Sequence, residues 1–330
     1  TQNYFIEITA IKGNNVTTPF ELRQDNTFMY CVSIKLLDVQ QVKVSVEIDR
    51  VSDVFVNDKS SGLTVANNIA VRTSEVLYPL VLSFDAKGNI TEVANLTAIQ
   101  ERWEGVKAEL HEDFYGEGLD RYLELAGRRI KAADALIYAL NNDCFLSLFF
   151  NNVIYTSYTN DKANGELYFP FIQDTEALKN TISLKKELAE NKNIYIGFQG
   201  EISDERSSVD LRNESSFPIN RDYPKAKGEY FGAYFVDPAY NVITGISFYY
   251  KFDSGLELEV EKAMMVKTGR LSELEKPVNE IPKVKNSTGK IHIPLVIYKD
   301  MERDVQRHIN PLVDIKRMTM RDYTGEGITM

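Results

Sequence analysis

Apolar and polar positions alternate strictly in VKVSVEID (42–49): Val42, Val44, Val46 and Ile48 fall on one side, and Lys43, Ser45, Glu47 and Asp49 on the other. A two-residue period means a strand with one buried and one wet face. FMYCVSIKLL (28–37) precedes it, and LDVQQ between the two predicts a hairpin, so residues 1–60 read as antiparallel strands. SGLTVANNIAVRTSEVL (61–77) changes period and predicts a short amphipathic helix with Leu63, Ala66, Ile69, Ala70 and Val76 on one face. Two further strands in 78–93 flank Asp-Ala-Lys-Gly-Asn, a turn in which Gly88 is free to take a positive φ.

Residues 95–151 follow a helical period. Leu96, Ile99, Trp103, Val106 and Leu110 form one stripe, and Leu119, Leu123, Ala126, Ile130, Ala133, Ile137 and Leu140 a second. HEDFYGEG between them offers Gly116 and Gly118 for a helix end, which predicts an antiparallel helical hairpin closed by CFLSLFF (144–150). The segment 152–185 is mixed, with a helix possible in TEALKNTISLKKELAENKN (175–193). Strands return over 193–268 as IYIGFQGEIS, GEYFGAYFVD, VITGISFYYKF and LELEVEKAMMV, joined by tight turns at Asp237–Asn241 and Asp253–Gly255. The hairpin patterns at 78–93 and 231–246 are faintly alike, which reads as shared hairpin grammar instead of a duplicated domain.

The expected fold class is α+β: antiparallel β-sheets of meander or half-barrel type, a central helical hairpin and a C-terminal extension. The boundaries read as 1–94 (β region with one short helix), 95–151 (helical hairpin), 152–268 (β-meander) and 269–330 (linker and arm). GRLSELEKPVNEIPKVKNSTGK (269–290) is polar and poorly periodic, and HIPLVIY (292–298) has the pattern of one more strand. The arm carries Val305, Ile309, Leu312, Ile315 and Tyr323, the positions expected to contact a partner, because such tails gain order by packing on another chain.

Composition, charge and the lengths of apolar runs sharpen this picture. The formal net charge of −10 repels phosphate backbones and anionic lipid, so neither nucleic acid nor an anionic membrane surface is an expected partner. The cluster Arg128, Arg129 and Lys131 lies among acidic neighbours and reads as a solvated helix face. Cys31 and Cys144 each sit in an apolar run and read as reduced, buried thiols without a CxxC pair. No apolar run of transmembrane length occurs, so no membrane insertion is expected. The opening TQNYFIEITAIKG already reads as a strand, which gives a cytoplasmic expectation, or a periplasmic or envelope one if a signal was removed.

Candidate chemistry is sparse. His111 ends a helix beside Glu112 and Asp113, His292 lies in a strand pattern and His308 in the arm, and neither HExxH nor GxSxG occurs. NSTGK (286–290) fails as a phosphate loop because Val284 stands where the loop needs glycine and Ile291 where it needs Ser or Thr. Gly116-Glu117-Gly118 lacks the third glycine of a dinucleotide fingerprint, and 203–215 lacks the ligand pattern of a calcium loop. Glu257, Glu259 and Glu261 share a strand face that normally points at water. The sequence therefore predicts no catalytic residue, cofactor or metal.

LYPLVLSFDAKGNITEVANLTAIQERWEGVKAELHEDFYGEGLDRYLEL (77–125) resembles a β-rich protein family of Bacteroidetes-type bacteria, in which a strand pair with an FDxxGxI-like turn runs into N-x3-I-x2-RW and a helical hairpin. The meander also looks like the half-barrels of LolA-type lipoprotein carriers, in architecture only. The first resemblance implies a place in secretion or contractile injection machinery. The resulting expectation is a non-catalytic interaction module, an adaptor, chaperone or structural subunit that binds other protein chains. The alternatives are an apolar small-molecule or lipid carrier, and an enzyme of unfamiliar type.

Overall fold

The computed structural model describes residues 1–14, 25–40, 43–56, 59–60, 65–151, 156–169, 178–188, 193–206, 224–240, 242–253, 258–269 and 290–293. Fifteen strands and five helices lie among them. In chain order these are β1 (Gln2–Asn14), β2 (Asp25–Val39), β3 (Lys43–Arg50), β4 (Phe55–Val56), β5 (Lys59–Ser60), α1 (Val65–Glu75), β6 (Leu80–Asp85) and β7 (Ile90–Val93). The helical part holds α2 (Leu96–Asp113), β8 (Phe114–Tyr115), α3 (Glu117–Lys131), α4 (Ala133–Asn141) and α5 (Cys144–Phe149). The chain continues through β9 (Lys162–Phe169), β10 (Leu178–Leu188), β11 (Ile194–Ile202), β12 (Lys227–Asp237), β13 (Val242–Asp253), β14 (Leu258–Thr268) and β15 (Ile291–His292).

The two β-rich stretches of the sequence form one sheet. Eleven strands follow each other in the order β7-β6-β3-β2-β1-β14-β13-β12-β11-β10-β9, every neighbouring pair antiparallel, and the path does not close. The join is the ladder between β1 and β14, which runs from Tyr4↔Thr268 to Asn14↔Leu258. The α+β reading is thus correct, with helices gathered against one sheet. The alternation seen in 42–49 is kept: Val46 and Ile48 are buried, in register with Leu82 and Leu80 of β6.

The first helical stripe forms as expected, with Ile99, Trp103 and Leu110 of α2 buried. It runs antiparallel to α3, as the contacts Gln100–Ile130, Trp103–Gly127 and His111–Asp120 require. Gly127 permits this approach, since a Cβ there would stand 3.0 Å from the Trp103 indole nitrogen. The second stripe is not one helix. It breaks at Ala132, which is extended at φ −107 and ψ 120. The Gln100 side-chain amide donates to the Ile130 and Lys131 carbonyls at 3.3 and 3.1 Å, so α2 satisfies the end of α3. After the break Ala133 is exposed and Leu136 is buried in its place.

The helix considered for 175–193 is also corrected, because residues 178–188 are strand β10. Leu178, Asn180, Ile182 and Leu184 are buried in alternation, a period of two imposed by β9 on one side and β11 on the other.

Helix α5 sits against both halves of the sheet. Asp143 caps it, accepting from Leu146 N at 2.8 Å. Phe149 meets Tyr4 of β1 edge-on at 4.8 Å, and Phe150 stacks on Phe84 of β6 at 4.1 Å. The Tyr234 hydroxyl of β12 donates to the Leu148 carbonyl at 2.9 Å. Buried residues from all these elements form one continuous core. The β6–β7 turn fits beneath this segment: Gly88 has φ +86, and a Cβ there would lie 2.0 Å from the Phe150 carbonyl oxygen.

Gly88→Ala meets both a left-handed backbone and a backbone collision, so it should lower unfolding free energy by about 2 kcal/mol or more in urea melts. Burial pushes Tyr122 up to about 12, opposed by its bond to Thr73, and pushes Tyr78 up to about 12 with the Asp143 charge adding and Arg50 opposing. An ordinary tyrosine ionises near 10. Stability contributed by these neutral phenols is therefore complete below pH ~10 and is lost as pH rises towards 12. Alkaline titration followed by phenolate absorbance and far-ultraviolet dichroism should show both phenols ionising only with cooperative unfolding.

Candidate interaction surface

Residues 230–235 of β12 carry aromatics in both phases of the alternation. Tyr230 and Tyr234 are buried on the face that meets α5, while Phe231 and Phe235 are 56% and 39% exposed on the other. Register places the outward residues in rows across the sheet. One row runs Gln199, Phe231, Tyr249, Ala263, Thr9. The next runs Gly197, Ala233, Ser247, Met265, Glu7, with Met265 47% exposed. A third runs Tyr195, Phe235, Gly245, Lys267, Phe5.

The rings in these rows are held in place. Phe231 and Tyr249 lie 4.9 Å apart at 33°, and Tyr195 meets Phe235 at 5.5 Å in a T arrangement. Lys267 Nζ sits 5.2 Å from the Phe5 ring. Two outward glycines make room for rings to lie flat. A Cβ on Gly197 would come 3.1 Å from the Tyr195 ring, and one on Gly245 would come 3.4 Å from the Phe235 ring. The result is an aromatic cluster centred on β12 and its neighbours β11 and β13, extended by Met265 of β14, with Glu229 and Lys251 on one side and Lys267 and Glu7 on the β14–β1 side.

The free ends of the sheet are built differently. At β7 the Asn141 side chain imitates a neighbouring strand: it accepts from Ile90 N at 2.8 Å and donates to Ile90 O at 3.0 Å. At β9 the turn Thr159–Lys162, with Asn160 and Asp161 at φ 50 and 61, pairs both backbone groups of Lys162 with Thr159. Part of each edge is thereby occupied.

A second cluster of polar groups lies where β2, β3, the α1–β6 connection and α5 meet. Arg50 donates to Ser74 Oγ at 2.9 Å, pairs with Glu75 at 2.8 Å and lies 5.5 Å from the Tyr78 ring centre. Burial, then the nearby Asp143, Tyr78 and Cys144, hold the Tyr30 phenol well above its usual value, with Arg50 opposing. Arg102 donates to the Val76 and Pro79 carbonyls at 2.8 and 3.2 Å. These groups tie the end of α1 and the α1–β6 connection to β3 through Arg50 and to α2 through Arg102.

The sequence expectations fall unevenly on this picture. Val305, Ile309, Leu312, Ile315 and Tyr323 lie outside the described residues, as do His308, Glu257 and the side chains of His292, Glu259 and Glu261. His111 is exposed at the end of α2, 3.8 Å from Asp120. Arg128 bonds Glu124, and Lys131 faces Glu104 at 3.9 Å, so both basic side chains have acidic partners. Cys31 and Cys144 form no disulfide; Cys31 is buried and Cys144 half-buried, and burial raises the Cys31 pKa against a bond to Ser52. Among the described residues no group of three or more His, Cys, Asp or Glu could hold a metal, and no helix is long and apolar enough to cross a membrane. The residues that sequence reasoning missed are Tyr195, Phe231, Phe235, Tyr249 and Met265. Their signal was available: EYFGAYF and FYYKF are aromatic in both phases, whereas a sheet wet on one face should be polar in one.

No family model matches the chain, and no curated protein matches it. A solved structure described as "lipid-protein interactions in lipovitellin" is similar at a TM-score of 0.39 and 10% identity, over 82% of this chain and 25% of that one. The chain thus spans about a quarter of that chain's length.

Proposed function

We propose that this chain is a non-catalytic interaction module that binds another protein through the outward face of β11–β14. The observation that carries this reading is the exposure of Phe231, Phe235 and Met265 together on one ordered sheet face. Aromatic residues and Met are the types enriched where protein surfaces meet, and a contiguous exposed patch of them costs solubility unless it is covered. The rings are already fixed by neighbours, so docking would lose little side-chain entropy. The bordering Glu229 and Lys251 supply a polar rim of mixed charge. Membership of a larger assembly, as an adaptor, chaperone or structural subunit, is the role this surface fits.

The carrier alternative needs an apolar lining free to take a ligand. The inner aromatics best suited to it, Phe198, Tyr230, Tyr234, Phe248 and Tyr250, are buried within the core cluster. A ligand there would have to displace protein contacts, which weighs for the interaction reading.

The double variant Phe231→Lys with Phe235→Lys tests the proposal. Both side chains are substantially exposed, so the cost in folding stability should stay near about 1 kcal/mol per site. A photo-reactive phenylalanine analogue at position 231 in the source cells should cross-link to one dominant protein, and the double variant should lose that protein from quantitative pull-downs by tenfold or more (roughly 1.4 kcal/mol). Retention of the same binding set by a folded double variant sinks the reading.

A further inference from the structure

The turn between α2 and α3 already holds a peptide. Strand β15 lies parallel to β8, with Ile291 opposite Phe114 and His292 opposite Tyr115. Ile293 N donates to the Tyr115 carbonyl at 2.7 Å, and Gly118 N, in the first turn of the fifteen-residue α3, donates to the Ile293 carbonyl at 3.1 Å. Lys290 Nζ donates to the His111 carbonyl at 2.9 Å. The Ile293 side chain is buried in the main core. Gly116, at φ 120, makes the bend that exposes both ends of the slot, a conformation only glycine adopts readily.

These contacts have the chemistry of strand addition: main-chain hydrogen bonds that any extended peptide can make, plus one pocket for an aliphatic side chain. The described chain stops at Gly269 and resumes at Lys290, and twenty residues (270–289) can span roughly 65 Å when extended. Strand β15 is two residues long and lies outside the large sheet, so its release leaves the ladders of that sheet intact.

We propose that β8 and the Gly116–Gly118 turn form a peptide-binding slot, filled within one molecule by Lys290–Ile293 and exchangeable with the same segment of a second copy. The slot is remote in sequence from the aromatic face, and its occupancy does not depend on what that face binds. Exchange of this kind links two copies reciprocally, each inserting its β15 into the other.

Register gives a direct test, since residues opposite each other across a strand pair come close enough for a disulfide. Tyr115→Cys and His292→Cys variants, mixed in equal amounts at high concentration with oxidised glutathione, should yield a covalent heterodimer whose bond maps to positions 115 and 292 by mass spectrometry. The chain carrying both substitutions should form the same bond, within one molecule at low concentration. Adding Ile293→Asp to the His292→Cys chain should cut heterodimer yield roughly tenfold or more, because the anchor is lost. Closure in the double-cysteine chain without any heterodimer in the mixture overturns exchange. Failure of the double-cysteine chain to close overturns the slot itself. A heterodimer that ignores Ile293→Asp overturns the anchoring.

Discussion

Residues near the two ends of the described sheet-forming chain, Tyr4–Asn14 and Leu258–Thr268, face each other across eleven antiparallel register pairs. Without that ladder the protein has two separate sheets, β7-β6-β3-β2-β1 and β14-β13-β12-β11-β10-β9, each with an additional raw edge of unpaired backbone groups. With it, Ile6, Val266, Ile246 and Tyr234 fall into one row of buried side chains crossing the join. The ladder closes a loop of more than 240 residues, from Asn14 to Leu258. Such contacts repay their loop entropy only after the intervening parts have formed, so the join is the slowest piece to gain by local order alone.

Something must hold the two halves at the right angle while that ladder stands, and α5 is placed to do it. Within eight residues the chain offers a cap at Asp143, a carbonyl at Leu148 for Tyr234, and rings at Phe149 and Phe150 for Tyr4 and Phe84. The last three contacts reach three different strands, β12, β1 and β6. The α5 segment is bounded by Asn141, which pairs with Ile90 on the β7 edge, and by Phe150, whose carbonyl lies against Gly88. A six-residue helix has little stability of its own. Its position is imposed by these neighbours, and its contacts bridge strands from both halves of the sheet.

How much of this was legible follows from the range of each interaction. The β2–β3 hairpin, the turn at Gly88 and the α2 stripe depend on residues close in sequence, and periodicity finds them. The break at Ala132 has no Gly or Pro to mark it, and the group that meets the last α3 carbonyls is Gln100, thirty residues before Ile130 on α2. Strand β10 was ambiguous for the same reason: Leu178, Ile182 and Lys185 suit a helix, and only β9 and β11 on its flanks decide for a strand. The joining of two β regions into one sheet carries no local mark at all. The outward aromatics are legible in principle, as apolar residues in the phase that should be polar.

That phase violation is the strongest argument about purpose, because the sheet contains its own control. In β10 the outward positions Thr181, Ser183, Lys185 and Glu187 are polar and exposed. They occupy the same rows as Glu201, Gln199, Gly197 and Tyr195 of β11, and the next strand in those rows, β12, carries Phe231, Ala233 and Phe235, so the same face is wet on β10 and apolar on β12. Folding places no demand for Phe at 231 or 235, since the buried face is already filled by Tyr230 and Tyr234. The glycines reinforce the point. On the inner face, Gly200 and Gly232 lie under the Tyr230 and Phe198 rings, where a Cβ would approach to 2.3 and 2.5 Å, and the rings close the core. On the outer face, Gly197 and Gly245 lie under Tyr195 and Phe235, and the rings are presented to the outside. The same device therefore serves packing on one side of the sheet, and on the other it holds rings in place on a face that the described residues leave partly exposed.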